Sequence, residues 1–212
     1  IDLDPERLTI LLHQMVVLRR GAEVVTMSKR QGNIIALSDV IEEVGPDACR
    51  FFFLTRSADS QMDFDLELAK RQAADNPVYY VQYSHARTSS ILQVASSRGI
   101  DPPTGADAAP YSHPGEIALV RFLIHYPQVV ADAATDLEPH RLTFAAQELA
   151  SLFNAFYRDC RVLPSDHVPL DTSTVRSRLL LVAATRAVLA HVLSLIGVSA
   201  PDRMDRSDEP TE

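Results

Sequence analysis

A helical hydrophobic period runs through the chain from about residue 64 onward, and this feature most restricts the possible folds. Four segments have the period, at approximately residues 65–97, 114–135, 139–163 and 173–196. Each of the last three opens with a proline or a serine, which commonly begin helices. Pro77 predicts a kink in the first segment or a boundary between two helices. The sequence therefore predicts a mainly α fold built as a bundle of amphipathic helices.

The first 64 residues have the pattern of strands instead. Residues 8–18 are apolar on both alternating faces and β-branched towards their end, which predicts a buried strand. Gly21 indicates a turn and "VVTM" a short return strand, so that a hairpin precedes a loop. We expect three parts, which are a first region over 1–64, a helical domain over 65–204 and a disordered acidic tail over 205–212.

Helix boundaries follow from capping residues and breakers. Either Ser38 or Asp39 can cap a helix, and only Asp39 is followed three residues later by an acid, Glu42. Gly45 ends this helix, because glycine readily adopts the left-handed conformation of a C-terminal cap. Pro46 begins the next helix, since its missing N–H is not needed in a first turn. Residues 98–116 are rich in proline, glycine and alanine and predict an exposed loop.

The charge balance limits how this chain could bind a nucleic acid. It has 20 lysines and arginines against 28 aspartates and glutamates, a formal net charge of −8. Proteins that are held to nucleic acid mainly by phosphate contacts are normally basic. A nucleic-acid site on this chain must therefore be local, with a few well-placed cations and stacking groups.

Membrane and metal functions have little support in the sequence. No apolar run approaches the roughly 18 residues of a membrane span, and acids occupy the first residues, where a signal peptide has bases. We therefore expect a cytoplasmic protein with no membrane partner. Cys49 and Cys160 lack metal or CxxC spacing and predict reduced core thiols. Four histidines without mutual metal spacing are expected to be polar or core residues, namely His85, His113, His140 and His191.

One short stretch, "TMSKRQGN" at residues 26–33, combines two cations, a hydroxyl, a glycine and an asparagine. The chain has lysine only at Lys29 and Lys70, so arginine supplies nearly all of its positive charge. A lysine in such a chain is more often kept for its compact ammonium than by default. Considered alone, residues 28–30 could equally be a solvated turn.

"MSKR" in a glycine-containing loop resembles the KMSKS signature of class I aminoacyl-tRNA synthetases. Over about residues 3–204, the order and spacing of four stretches resemble the carboxy-terminal part of arginyl-tRNA synthetase, namely "MSKRQGN", "DVIEEVGPDACRFFFL", "MDFDLELAKRQAADNPVYYVQYSHAR" and "LIGVSAPDRM". Residues 47–50, DACR, resemble the DALR sequence that names the helical module of that family. The resemblance implies the end of a class I α/β catalytic domain with a stem-contact region over 1–64, and an anticodon-binding domain over 65–204.

The resemblance also implies the chemistry of the loop in a full-length enzyme. ATP, with Mg²⁺, and arginine would form an adenylate, and the ammonium of Lys29 would meet the negative charge that develops on pyrophosphate. Ser28 would orient the backbone as the second catalytic residue. The rest of the ATP loop would be Met27, Arg30 and Gly32. Thr26 stands where the signature has its first lysine, which departs from any two-lysine mechanism. No HxGH-like motif occurs, so the chain alone should bind no cofactor and should not aminoacylate.

The resemblance implies that the helical module recognises the anticodon stem and loop of tRNA(Arg). Recognition of loop bases uses aromatic or arginine stacking and hydrogen bonds to base edges. Tyr79, Tyr83 and Arg87 follow at intervals of four residues and share a helix face, whereas Tyr80 points about 100° away. The alternative is that Tyr79 and Tyr83 are core residues with satisfied hydroxyls. We expect Tyr83 and Arg87 to contact RNA.

A second cluster, "NAFYRDCR", lies in the third helical segment. Phe153 and Phe156 continue an apolar series and are predicted core residues. The resemblance also implies that the chain end after Pro201 packs beside the anticodon loop. The remaining RNA candidates are Tyr157, Arg161, Arg203 and Met204.

Two other functions stay open. The acidic charge and the missing signature lysine favour a non-catalytic helical interaction module from a degenerate synthetase. The corresponding part of another class I tRNA ligase, such as the cysteinyl enzyme, would share the same helical module. The wording of "NPVYYVQYSHAR" favours the arginine enzyme, for which we expect a monomer with tRNA(Arg), arginine and ATP as partners.

Overall fold

The computed structural model describes residues 8–25, 35–101, 110–165 and 169–204, and these ranges form one small sheet and seven helices. The strands are β1 (Val16–Arg20), β2 (Glu23–Val24) and β3 (Met62–Asp65). The helices are α1 (Leu37–Val44), α2 (Pro46–Phe53), α3 (Leu66–Lys70), α4 (Pro77–Ser97), α5 (Pro114–Thr135), α6 (His140–Asp159) and α7 (Thr172–Leu195). The predicted mainly α class is confirmed.

The sheet has the strand order β2-β1-β3. β1 and β2 form the predicted antiparallel hairpin around Gly21, whose positive φ of 57° suits a tight turn. β3 lies parallel to β1, with Val16 opposite Met62 and Arg19 opposite Asp65. The sequence analysis missed β3, although its alternation of buried Met62 and Phe64 with aspartates is that of a short half-buried strand.

The prediction of a buried strand over residues 8–18 is wrong for residues 8–15. These residues are not in a strand, and their apolar side chains are exposed, including Leu12 at 83% and Met15 at 79%. β3 pairs only with residues 16–19, so the ladder extends no further towards the amino terminus. A row of exposed large apolar side chains is unusual for a protein surface that faces only water.

The first helix is capped differently from the prediction. Its N-cap is Ala36, and Asp39 lies three residues on, where its carboxylate accepts a hydrogen bond of 3.0 Å from the Ala36 N–H. Neither Ser38 nor Asp39 is therefore the cap. Gly45, with a φ of 85°, ends α1 and Pro46 begins α2, as predicted.

Pro77 separates two helices, which confirms one of the two predicted alternatives. It occupies the first turn of α4, after α3 has ended at Lys70. Asn76 caps α4 by accepting from the Val78 N–H, and its amide donates to two backbone carbonyls of the connection, those of Ala69 at 3.0 Å and Arg71 at 2.8 Å. The buried Asn76 side chain therefore joins the start of α4 to the connection that follows α3.

Helices α4, α5, α6 and α7 pack as the predicted bundle around one apolar core. Phe153 and Phe156 on α6 are fully buried there, which confirms their prediction as core residues. The end of α6 was placed too late, because its helix stops at Asp159 while the following apolar residues still enter the core. α7 begins and ends within one residue of the prediction, and Asp171 is its cap.

Two other expectations concern thiols and membrane spans. Cys49 and Cys160 are buried free thiols, as predicted, and burial raises the pKa of both. Contrary to the expectation from apolar runs, α5 and α7 are long and apolar enough to cross a membrane by length and composition. Both helices pack against other helices of the bundle, and core helices of bundles pass the same test.

Candidate nucleic-acid interface

The predicted ATP loop lies outside the described residues, so the structure places none of its predicted site residues, which are Met27, Ser28, Lys29, Arg30 and Gly32. The site that can be built from the structure is therefore on the helical bundle. Among the described residues, no group of three or more histidines, cysteines or acids could hold a metal ion.

Three side chains predicted to share a face of α4 contact one another in series. The rings of Tyr79 and Tyr83 are stacked, with centroids 6.0 Å apart and planes 16° apart. The guanidinium carbon of Arg87 lies 4.8 Å from the centroid of the Tyr83 ring. All three side chains are half-buried, so the tyrosines are neither core residues nor freely solvated.

Arg87 joins this face of α4 to α6. Its guanidinium lies 5.4 Å from the centroid of the Tyr157 ring and donates a 2.8 Å hydrogen bond to the side-chain oxygen of Asn154. Asn154 in turn donates to the hydroxyl of Ser84 on α4. Two rings and an amide therefore hold the guanidinium in one orientation, and it needs little further ordering when it binds a partner.

Tyr157 is the most exposed ring of this group, at 42%. It stacks on the fully buried ring of Phe153, with centroids 6.1 Å apart and planes 24° apart. A ring that is anchored on the core and open to solvent is suited to stacking by a partner group. We call the series Tyr79, Tyr83, Arg87 and Tyr157 the stacking row.

Beside the stacking row, a cleft of about 490 Å³ is lined by Tyr157, by three arginines and by residues of the segment that follows α6. Arg161, a predicted candidate, donates to the carbonyl of Leu163, and Arg98 donates to that of Pro164. Arg158 pairs with Asp159 at 2.9 Å. Three cations and one carboxylate line the cleft, so it is locally positive in an otherwise acidic chain.

Glu116 and Arg178 support the cleft from beneath. The Glu116 carboxylate is 5% exposed and accepts a 2.7 Å hydrogen bond from Arg178, which also donates to the carbonyl of Arg161. Burial opposes ionisation of Glu116, but hydrogen bonds from Arg178 and from two backbone N–H groups outweigh it and lower the pKa. The ionised pair therefore fixes the backbone that carries Arg161.

The last two candidates, Arg203 and Met204, lie elsewhere, in the segment after α7. Pro201 in this segment accepts a 2.9 Å hydrogen bond from Nδ1 of the buried His85, so the segment contacts α4 on a different face from the stacking row. Arg203 is exposed and Met204 is half-buried. The predicted RNA candidates therefore form one contiguous group and one separate terminal pair.

Sequence reasoning missed three polar residues of this surface. Asn154 is a polar residue within the apolar series of α6, which is the kind of departure that indicates a partner. Arg98 follows the last turn of α4, where the sequence predicted the start of a loop. Arg158 was recognised in the cluster but not chosen, and its ion pair with Asp159 holds it at the rim of the cleft.

A helical bundle with an aromatic and arginine surface is an architecture that can read single-stranded loop bases. Residues 81–204 match the family described as the DALR anticodon binding domain, and the chain belongs to this family. The chain is 53% identical to an arginine–tRNA ligase of Dehalococcoides mccartyi over 204 residues, which are 96% of this chain and 36% of the relative. It is 49% identical over 203 residues to the arginine–tRNA ligase of Moorella thermoacetica, covering 95% of this chain and 35% of the relative.

Solved structures give the same picture. A Campylobacter jejuni protein described as an arginyl-tRNA synthetase superposes with a TM-score of 0.75 and 28% identity, over 91% of this chain and 40% of that one. Thermus thermophilus arginyl-tRNA synthetase gives a TM-score of 0.61 and 28% identity, over 83% and 29%. The chain thus spans a little over a third of the length of the two bacterial ligases that it matches in sequence.

Proposed function

We propose that this chain is the carboxy-terminal part of an arginine–tRNA ligase, and that its bundle binds the anticodon stem and loop of tRNA(Arg). The stacking row carries the proposal. It places two tyrosine rings, a fixed guanidinium and an exposed third ring in one line beside an arginine-lined cleft. Rings and guanidinium planes stack on unpaired bases, and arginines contact phosphates and base edges.

The charge distribution restricts how such binding would depend on salt. The chain as a whole is acidic, so long-range attraction would not hold RNA to it. Binding would rest on the few arginines of the cleft and on stacking, which is worth about 1–3 kcal/mol per base. We therefore expect weak binding with a shallow dependence on salt concentration, corresponding to few phosphate contacts.

Fluorescence anisotropy with tRNA(Arg) transcripts tests the proposal. The family resemblance points to the central anticodon base, a cytosine, and replacing it should weaken binding about tenfold or more. Tyr157→Leu and Tyr83→Leu keep most apolar volume and remove a stacking ring, and Arg161→Ala removes a cation. At least one of the three should lower affinity with little change in thermal unfolding.

Phe144→Leu is the matched control. Phe144 is on α6 like Tyr157 and is 52% exposed, but it lines a separate groove between α5 and α6. Its replacement should leave tRNA affinity unchanged. Equal binding of tRNAs with the natural and the swapped anticodon would contradict recognition by this bundle. Unfolding of the protein by all three test substitutions would show that these side chains act in stability, and the recognition surface would then lie elsewhere.

We also propose a role for Lys29 in the ATP- and Mg²⁺-dependent activation of arginine by a full-length ligase. Lys29→Ala in that enzyme should lower the adenylation rate much more than it weakens arginine binding, and Lys29→Gln should do nearly the same. An unchanged adenylation rate would favour the alternative interpretation, in which Lys29 belongs to a solvated turn without a role in activation. The chain alone should show no arginine-dependent ATP–pyrophosphate exchange, and exchange above a purified blank would contradict this.

The exposed apolar residues of 8–15 support a large partner surface for the first region. We propose that these residues pack against the rest of a class I catalytic domain. The relatives are nearly three times as long as this chain, so they have room for such a domain. The same surface is the observation that favours the second candidate, a helical interaction module without tRNA chemistry. That module would show no anticodon dependence in the anisotropy experiment. We further propose a monomeric, cytoplasmic ligase, and sedimentation velocity tests the monomer.

A further inference from the structure

The seven residues after the last turn of α7 are held to the rest of the molecule at several points. We call residues 198–204 the terminal strap. Val198 is buried, and the following residues pass along α4 in order, so that Ser199 contacts Gln82, Pro201 contacts His85 and Asp202 contacts Ser89. The strap therefore follows a face of α4 over two helical turns.

Asp47, in α2, contributes the most contacts to the start of the strap. Its carboxylate accepts hydrogen bonds from the Ser199 N–H at 3.2 Å, from the Ser199 hydroxyl, and from the Gln82 amide at 2.8 Å. The same Gln82 amide donates to the carbonyl of Ser199 at 3.0 Å. One carboxylate thus joins three separate parts of the chain, which are α2, α4 and the strap.

The chain approaches α2 closely where the strap begins. Gly197 has a φ of 70°, and a Cβ atom added there would lie 2.7 Å from the Nη1 atom of Arg50. Glycine suits this position because its φ is positive, and a Cβ atom would also require the end of the Arg50 side chain to move. Asp47 and Arg50, the first and last residues of the DACR stretch, therefore both contact the junction between α7 and the strap.

The far end of the strap is fixed through Asp202. Its carboxylate accepts 2.8 Å hydrogen bonds from the Ser89 hydroxyl on α4 and from the guanidinium of Arg186 on α7. These bonds lower the pKa of Asp202, with the Arg186 bond as the main cause, followed by the Ser89 bond. The residues that follow, Arg203 and Met204, extend from this fixed point.

The strap and the stacking row share one helix. Gln82 and Tyr83 are consecutive residues of α4, so their side chains diverge by about 100° and serve adjacent faces. The strap therefore lies on the face of α4 next to the one that carries the stacking row.

We propose that Asp47 is a positioning residue for RNA binding, which holds the terminal strap on the face of α4 next to the stacking row, so that Arg203 and Met204 form a second contact point for the same RNA. This inference rests on the proposed tRNA function. A strap that is already ordered loses little backbone freedom when RNA binds, whereas a released strap must be ordered at that moment. Because the coupling is reciprocal, bound tRNA should in turn stabilise the contacts of the strap with α2.

The test combines tRNA binding with hydrogen exchange, both measured on this protein. Asp47→Ala should weaken tRNA(Arg) binding at least about fivefold. It should also speed amide exchange in residues 198–204, with exchange in the buried part of α6 unchanged. If Asp47 acts through Ser199, adding Ser199→Ala to Asp47→Ala should weaken binding no further, because neighbouring groups in one network are not additive.

Asp171→Ala is the control for general destabilisation. Asp171 caps α7 by accepting from the Thr174 N–H at 2.8 Å, and it contacts neither the strap nor α4 by hydrogen bonds. Its replacement should lower the unfolding midpoint and leave tRNA affinity unchanged.

The outcomes separate the two proposals. Wild-type protein that binds no tRNA would overturn the proposed function and this inference with it. Wild-type protein that binds tRNA while Asp47→Ala binds equally well would overturn only the inference. Equal losses of affinity in the Asp47→Ala and Asp171→Ala variants would also overturn it, because Asp47 would then act only through stability. Added tRNA that slows exchange of the strap in the wild type supports it, and tRNA that leaves this exchange unchanged would overturn it.

Discussion

Replacing Glu116 by glutamine should measure how much the buried ion pair beneath the cleft stabilises the bundle. Glutamine can occupy the same place in the first turn of α5 and keep an oxygen for the backbone N–H groups that Glu116 now caps. The substitution therefore removes the charge while keeping the shape. What is lost is the charged partner of Arg178, which is 2.7 Å away.

The magnitude follows from the exposure of the two side chains. Removing one member of a fully buried ion pair costs about 3–5 kcal/mol, because the other charge is left without compensation. The Arg178 side chain is 16% exposed and keeps its bond to the carbonyl of Arg161, so water and that carbonyl compensate part of the loss. A charged hydrogen bond contributes about 1.5–3 kcal/mol. We expect Glu116→Gln to lower the free energy of unfolding by about 2–3 kcal/mol near neutral pH.

The loss should depend on pH with a definite sign. The folded-state pKa of Glu116 lies below its ordinary value, so the stability it contributes is complete above the unfolded pKa of about 4.3. That stability is lost as the pH falls through the folded pKa, where the protonated carboxyl resembles the glutamine amide. The difference between wild type and Glu116→Gln should therefore shrink on acidification.

Urea unfolding followed by far-ultraviolet circular dichroism, near neutral pH and below about pH 4, measures both effects. Glu138→Gln is the matched control, because Glu138 pairs with Arg141 at the surface and such pairs contribute at most about 1 kcal/mol. A loss at Glu116 no larger than that at Glu138, or one that does not change with pH, would refute the reasoning from burial.

Three further substitutions have expected results. Burial raises the pKa of Tyr126 to about 12. Its contribution to the free energy of unfolding is therefore complete below about pH 10 and declines by on the order of 2 kcal/mol between about pH 10 and pH 12. Urea unfolding of Tyr126→Phe at alkaline pH should lack this decline. Asn76→Asp keeps the α4 cap but turns its two amide donor bonds into contacts between oxygens, which should cost about 2–3 kcal/mol in urea unfolding. Gly197→Ala should lose about 1–3 kcal/mol and lower the Tm, and Arg50→Ala in the same chain should restore the steric part only.

Local chemistry made several helix boundaries predictable from the sequence. α5 spans Pro114–Thr135 as predicted, and Gly45 and Pro46 separate α1 from α2 because backbone conformation alone dictates those residues. The end of α6 was not predictable in this way. The chain leaves the helix at Cys160, but Val162 still enters the core, so the apolar pattern continues past the helix.

The length of β1 could not be predicted from the sequence, for a different reason. Residues 8–15 have the same apolar composition as β1, but a strand exists only where a neighbour supplies hydrogen bonds. β3 supplies them only for residues 16–19, and four residues of β3 are too short a pattern to distinguish from a loop. The start of β1 is therefore determined by the length of its partner strand β3.

Some contacts of the stacking row can be predicted from helical spacing, and others depend on how two helices pack. The interval of four residues predicted that Tyr79, Tyr83 and Arg87 meet, because that relation lies within one helix. The contact of Arg87 with Tyr157 crosses from α4 to α6, and no spacing within either helix determines it.

The DACR stretch illustrates how a motif can contribute to a function from outside the site. Its residues lie in α2, where Ala48 and Cys49 face the core and Asp47 binds the strap. None of these contacts requires RNA, so the stretch has a sufficient structural reason to be present. Its link to the proposed RNA surface runs through Gln82, which donates to Asp47 from the helix that also carries the stacking row. One carboxylate therefore connects α2 and the strap with the helix that carries the stacking row.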